Sequence, residues 1–399
     1  MERIIKAAVD RGASDLHIKA GDVFRARING KLVPLTKQKL TPEQTRTIAL
    51  HLMPNEDDKA RIDTLTDYDC SWAASGIGRF RVNILKQRSS FMVVMRVIPF
   101  EVPTFEKLKL PAALARVAEA ERGMVLVTGV TGSGKSSTMA AMVNYINAHE
   151  NRHILTLENP IEFLHTDIQS AITQREIGSD TQDFKMGLRA ALRQDPDVVM
   201  IGEMRDAETI DTAIKAAETG HLLISTLHTP DAQSTIMRIM AMFPPEEQEV
   251  VRIRLSETLH AVVSQRLLPR ADGHGRAVAA EILIVTPAVR DMIADGKRIH
   301  EIRDYIADGR DQYGMQTFDQ HLADLVQEGI VTFDVAMASA TNPSDFELKM
   351  RMFRRVSSTA GQPAAAPAAA PAAPAAPAPA APSDGMDGVT SGAFDFLNQ

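Results

Sequence analysis

The run Gly129-Val130-Thr131-Gly132-Ser133-Gly134-Lys135-Ser136 has the residue types and spacing of a phosphate-binding loop. Its glycines allow backbone N–H groups to converge on phosphate oxygens at a helix N-terminus. Lys135 is placed to bring charge to the β- and γ-phosphates, and the Ser136 hydroxyl to hold Mg²⁺. Thr131, Ser133 and Ser137 complete the nucleotide contacts expected of the loop. Kinases, GTPases and motors all use such a loop, so it names no reaction alone. A GTPase calls for an Asn-Lys-x-Asp run and an ABC-type ATPase for Leu-Ser-Gly-Gly, and the sequence contains neither.

Three later segments carry further chemistry. His153-Ile-Leu-Thr-Leu-Glu158-Asn159-Pro160-Ile-Glu162 sets two carboxylates just past an apolar run, where an open α/β sheet places its ligands. Val198-Val-Met-Ile-Gly-Glu203-Met-Arg-Asp206 ends a second buried run on an acid, resembling a Walker B strand but with Gly202-Glu203 where Asp-Glu is usual. Thr219-Gly-His221-Leu-Leu-Ile-Ser-Thr-Leu-His228 puts a histidine at either end of a third.

These residues need a scaffold, and its elements are legible. Met124 to Thr128, His153 to Leu157, Val198 to Ile201 and Leu222 to Thr226 read as buried parallel strands separated by helices, a doubly wound α/β domain. After about residue 250 helices are expected to dominate, broken by one strand at Ala279 to Val285. Residues 1–98 read as a small α+β unit. Ile4, Ile5, Ala8 and Val9 line one face of a short helix ended at Gly12, and a hairpin turns at Asn29-Gly30. Thr41-Pro42-Glu43 opens a second helix, and Arg79 to Leu85 and Phe91 to Ile98 alternate as paired strands. Residues 99–111, with three prolines, are the expected linker, and the P-loop domain with its C-terminal helices is expected over 112–356.

The composition narrows the partners. The 399 residues carry a formal charge of −7, which argues against non-specific nucleic-acid binding. The single cysteine, Cys70, excludes a disulfide framework and any multi-cysteine zinc site. Neither a secretory signal nor a spanning apolar run is present, so any membrane association is expected to be peripheral. Residues 357–399 are expected to be a disordered tail. Pro363 to Pro382 is seven prolines and thirteen alanines, an extended spacer. Beyond it, Phe394, Phe396 and Leu397 suit either a short docking motif or an inert extension.

Together these motifs resemble the type II/IV secretion ATPase superfamily, with its Walker A loop, Asp box, Walker B strand and His box in order. The resemblance runs from residue 1 to about 350. Within it, Ala13-Ser-Asp-Leu-His17, Gly78-Arg79-Phe-Arg81-Val-Asn, Thr173-Gln-Arg-Glu176 and Ala217-Glu-Thr-Gly-His221 are most similar to the pilus retraction ATPases. It implies a PAS-like N-terminal domain, a RecA-like P-loop domain, ATP and Mg²⁺ as ligands, and a homohexamer. It also implies a cytoplasmic motor at the inner face of the inner membrane, acting on a pilus platform protein, with a paralogous retraction ATPase as a further partner. Carried over by position, Glu162 is the general base for water, Glu203 supports Mg²⁺, and His221 and His228 sense the γ-phosphate. Arg81 and Arg96 reach nucleotide at a domain or subunit boundary; the bland alternative for both is a surface ion pair. The chain departs at Asn159, where the family has aspartate, which leaves an acceptor but removes a charge.

Rival readings stay open on the sequence alone. An assembly or secretion ATPase of the superfamily usually carries a longer N-terminal region and a four-cysteine metal site, both absent from this sequence. An accessory retraction motor shares stretches such as Thr41-Pro-Glu-Gln-Thr-Arg46, whereas Pro287-Ala-Val-Arg290 favours the retraction motor itself. More distant are a small-molecule kinase, which needs an acceptor, and a nucleotide-binding scaffold that does not hydrolyse.

Overall fold

Alternation of apolar and polar residues organises the first hundred residues of this computed structural model, which describes residues 1–99 and 101–360. Strands β1 (Ala13–Lys19), β2 (Arg25–Ile28), β3 (Lys31–Pro34), β4 (Asp67–Ala74), β5 (Gly78–Gln87) and β6 (Ser90–Val97) form one antiparallel sheet, ordered β3-β2-β1-β6-β5-β4. Asn29 and Gly30 take φ of 49° and 77°, the left-handed pair that a two-residue hairpin demands. Leu16, Ile18, Phe80, Val82, Val93 and Met95 turn to one face and are buried with Ile5, Ala8, Ala49 and Leu52 of helices Glu2–Asp10 and Pro42–Leu52. Burying one such side chain is worth roughly 1.5–3 kcal/mol. Thr41 caps the second helix in a reciprocal box with Gln44. β4 escaped the sequence reading because it is an edge strand with no fully buried position.

The second sheet comprises β7 (Gly123–Thr128), β8 (His153–Glu158), β9 (Ala171–Glu176), β10 (Val198–Ile201), β11 (Leu222–Leu227), β12 (Leu259–Pro269) and β13 (Arg276–Ile284), ordered β13-β12-β7-β11-β10-β8-β9. All neighbours are parallel except the β12–β13 hairpin. Helices cover both faces. Met124 and Leu126 therefore enter one apolar core while Val125 and Val127 enter another, which explains the unbroken apolar run of β7.

The C-terminal part corrects the expectation of helices broken by one strand. β12 pairs with β7 and with β13, so the region adds two strands rather than one. Its centre, Ser264-Gln265-Arg266, interrupts the apolar pattern that sequence reading relies on. Ser264 and Gln265 are nonetheless buried, because Thr128 Oγ1 donates to Ser264 Oγ at 2.8 Å and Gln265 Nε2 donates to Thr138 Oγ1 at 2.7 Å. The two sheets belong to one compact unit, Met1–Met350. The last helix spans Pro343–Ala360, past the point where a disordered tail was expected to begin; Phe394, Phe396 and Leu397 lie outside the described residues.

On β13, the buried Glu281 accepts the N–H of Ala232 at 2.9 Å, fixing the start of helix Ala232–Ala241. Burial pushes its carboxyl up to about 7; the Ala232 hydrogen bond opposes this, nearby Asp231 reinforces it, and Arg266 and Arg303 oppose it. The protonated form is thus favoured in the fold. Its contribution to stability is full below the ordinary carboxyl value of 4.5 and is lost as pH rises through about 7. Between those values, denaturant titrations should show wild type losing stability relative to Glu281→Gln by on the order of 3 kcal/mol. A pH-independent difference between the two would refute the assignment.

Candidate nucleotide site

The phosphate loop joins β7 to helix Lys135–His149 at the C-terminal edge of the parallel strands. The unpaired N–H groups of a helix's first turn favour anions there. Two glycines are dictated by geometry. Gly129 has φ of 141°, and a Cβ on it would lie 2.5 Å from the Gln265 carbonyl oxygen of β12. Gly134, at φ of 92°, is the N-cap of the helix. Lys135 is 8% exposed and donates through Nζ to the carbonyls of Gly129 at 3.0 Å and Val130 at 3.1 Å. Burial lowers its pKa, and the charges of Glu203 and Glu162 partly restore it.

A cavity of about 660 Å³ opens over this loop. Thr131, Gly132, Gly134, Lys135, Ser136 and Ser137 line it, together with Glu162, Glu203, His228, Arg81 and Arg96. Gly129 and Ser133 do not line it. Gly129 packs on β12, and Ser133 is 2% exposed with its Oγ buried and without a hydrogen-bond partner among the described residues.

The carboxylates approach the loop from β8 and β10. Glu162 Oε1 accepts the Ser136 hydroxyl at 3.1 Å, bringing the expected base against the expected Mg²⁺ ligand. Glu158 is buried and takes bonds from Thr156 Oγ1 at 2.7 Å, Gln174 Nε2 at 3.0 Å and the Glu162 N–H at 3.3 Å. Burial raises its pKa against the pull of those donors. Glu203 pairs with Arg205 at 2.5 Å and with His228 Nε2 at 3.8 Å. Ser136 and Glu203 both line the cavity and offer only oxygen donors, which suits a hard cation that draws its other ligands from phosphate and water. No group of three or more His, Cys, Asp or Glu able to hold a metal occurs among the described residues.

Arg81 and Arg96 face each other across β5 and β6, and Arg96 lies opposite Asp15 of β1. Arg96 Nε donates to Asp15 Oδ1 at 2.9 Å, so it lines the cavity while held in an ion pair. Burial raises the Asp15 carboxyl, but the Arg96 and Ser14 hydrogen bonds and nearby positive charge outweigh it and hold the group below its ordinary value.

His221 is not brought to the cavity. It precedes β11, whose first residue Leu222 pairs with Gly123 at the start of β7, whereas the phosphate loop follows the far end at Thr128. At about 3.3 Å per residue the strand separates them by roughly 20 Å. His221 Nδ1 instead meets the Ala216 carbonyl at 2.9 Å and Thr219 Oγ1 at 3.1 Å, at the end of helix Ala207–Glu218. A sensing role for His221 at the same chain's phosphate loop does not fit that placement.

Several lining residues escaped the sequence reading. Arg205, Arg276 and His165 border the cavity, and burial holds His165 down to about 4, so it is neutral near pH 7. Arg205 was legible only as a neighbour of Glu203; Arg276 and His165 sit in no motif.

The family described as type II/IV secretion system protein matches residues 1–328. The Pseudomonas aeruginosa protein named "Type IV pilus retractation ATPase PilT" is 41% identical over 343 residues, covering 86% of this chain and 98% of that protein. "Type IV pilus ATPase PilU" of the same organism is 41% identical over 353 residues, covering 88% of this chain and 91% of that protein. The crystal structure of the pilus retraction motor PilT with bound ADP superposes with a TM-score of 0.80 at 42% identity, covering 87% of this chain and 98% of that one.

Proposed function

This chain belongs to the type II/IV secretion system protein family, and from that premise we propose that it is an ATP-hydrolysing motor driving type IV pilus retraction. The observation that carries the chemistry is the 3.1 Å contact between the Ser136 hydroxyl and Glu162, at the mouth of the phosphate loop. In this reading Lys135 neutralises the β- and γ-phosphates, and Glu162 orients a water and takes its proton. Ser136 and Glu203 would hold Mg²⁺, which supplies further neutralisation of phosphate charge when bound. His228, beside Glu203, and Arg81 and Arg96, from the first sheet, address the terminal phosphate.

The reading extends to the assembly. Residues 1–98 act as a PAS-like domain, 99–111 as linker and 112–356 as a RecA-like domain, in a hexamer working at the cytoplasmic face of the inner membrane on a pilus platform protein. No helix among the described residues is long and apolar enough to cross a membrane. A second reading, an accessory retraction motor, stands beside it because the identity to PilU equals that to PilT.

Purified chain given Mg²⁺ and ATP without any acceptor should release phosphate. A kinase or a non-hydrolysing scaffold would release none. A strain lacking the gene should be hyperpiliated and unable to twitch. Retraction that persists with reduced force would instead select the accessory motor.

A further inference from the structure

We propose that Arg79 is a positioning residue for hydrolysis: acting through Glu176, it holds the loop that presents Glu162 and ties that loop to the first sheet. The inference rests on the ATPase reading above and adds a residue outside the nucleotide cavity.

In the loop 159–162 only Ile161 is buried; Asn159 and Glu162 are exposed and Pro160 is half-buried. Asn159, Pro160 and Glu162 line the 660 Å³ nucleotide cavity, and Asn159 and Pro160 also line a second cavity of about 620 Å³. Backbone hydrogen bonds on either side of the Ile161 side chain supplement that single buried anchor. Pro160 has no N–H, so Ile161 and Glu162 supply the loop's next two backbone donors. Both go to buried carboxylates that face each other across β8 and β9: Ile161 N–H to Glu176 Oε2 at 3.1 Å, and Glu162 N–H to Glu158 Oε2 at 3.3 Å.

Glu176 is the point of leverage. Its side chain is 3% exposed, and its one ion-pair partner among the described residues is Arg79 of β5. Arg79 Nη2 donates to Oε2 at 2.7 Å, the same oxygen that holds Ile161, and also meets Ser71 Oγ of β4 at 2.9 Å. A displacement of the guanidinium thus moves the acceptor that fixes the residue before Glu162. Without Arg79 the buried carboxylate loses its counter-charge and its best donor. Arg79 and Arg81 stand two apart on one strand, so β5 sends one arginine to the loop and the next to the nucleotide cavity. Motion of the first sheet reaches the phosphate and the water-orienting carboxylate together.

The test uses the full chain and compares wild type with Arg79→Gln, Arg79→Lys, Glu176→Gln and the Arg79→Gln/Glu176→Gln pair. Steady-state ATPase kinetics, binding of a fluorescent ADP analogue and thermal unfolding are measured. Arg79→Gln should lower kcat by about tenfold, a modest share of the loss that misplacing a catalytic group brings, with analogue affinity within about twofold of wild type. Arg79→Lys should recover part of the rate, because it restores the charge without the planar fork. The double variant should be no slower than the worse single one, since both changes cut one linkage. An unchanged kcat in folded Arg79→Gln, additive losses in the double variant, or affinity and melting temperature falling in step with kcat would each overturn the proposal. If Arg79→Gln does not fold, Glu176→Gln and Arg79→Lys carry the same comparison. A wild-type chain that hydrolyses no ATP would instead sink the ATPase reading before any variant is compared.

Discussion

Lys135→Ala will abolish ATP hydrolysis, lowering turnover by at least about 100-fold, and will leave the chain folded. The ammonium sits at the first turn of helix Lys135–His149 and donates to two carbonyls of its own loop, Gly129 and Val130. Its burial disfavours the charge, and only Glu203 and Glu162 offset that. Removing it relieves a desolvated cation at the cost of two hydrogen bonds, so the net effect on stability is small. The effect on chemistry is not small, because no other lysine lines the cavity and the transferred group spreads charge over three oxygens. Phosphate release and far-UV circular dichroism on the same preparation check both halves. Turnover within about twofold of wild type in a folded variant would remove the loop from the mechanism.

Glu162→Gln and Glu203→Gln should separate into two phenotypes. At position 162 glutamine keeps an oxygen that can accept the Ser136 hydroxyl but cannot take a proton, so Mg-ATP affinity survives while turnover falls by about 100-fold or more. Glu203 stands between Arg205 and His228. Neutralising it removes a charge from the proposed metal site and frees the Arg205 guanidinium that lines the cavity. That variant should therefore lose Mg²⁺-dependent affinity as well as rate. Titrating a fluorescent nucleotide with and without Mg²⁺ gives the comparison; indistinguishable defects in the two variants would mean that the roles are wrongly divided.

What could be read from the chain beforehand follows from how local each signal is. Gly129 to Ser136 lies between an apolar strand and a helix, and all the information for that turn is contained in eight neighbouring residues. The Asn29-Gly30 hairpin is local in the same way. β9 and β12 were not legible as strands, the first because an edge strand exposes alternate residues, the second because its polar centre breaks the apolar run and is only partly satisfied, by Thr128 and Thr138 from distant segments. Position along a strand misled the reading at His221. A histidine before an apolar run and one after it look equivalent in sequence, yet a parallel strand carries them to opposite edges of the sheet, and the phosphate loop occupies one edge alone. The Arg79–Glu176 tie spans 97 residues, and nothing in either local motif announces the other.

The strand order has a consequence for biosynthesis. β7, which carries the phosphate loop, is flanked by β11 and β12, and its Thr128 bonds to Ser264, 136 residues further along the chain. A nascent chain therefore emerges from the ribosome with its nucleotide loop made early but unsupported, its strand bare on both sides until most of the protein has been synthesised. The first sheet, by contrast, is complete within the first hundred residues and can fold while translation continues. Such non-local pairing is slow to form. A chain that stops before Leu259 lacks both β12 and the Ser264 partner of Thr128, so the strand that carries the phosphate loop keeps one edge unpaired.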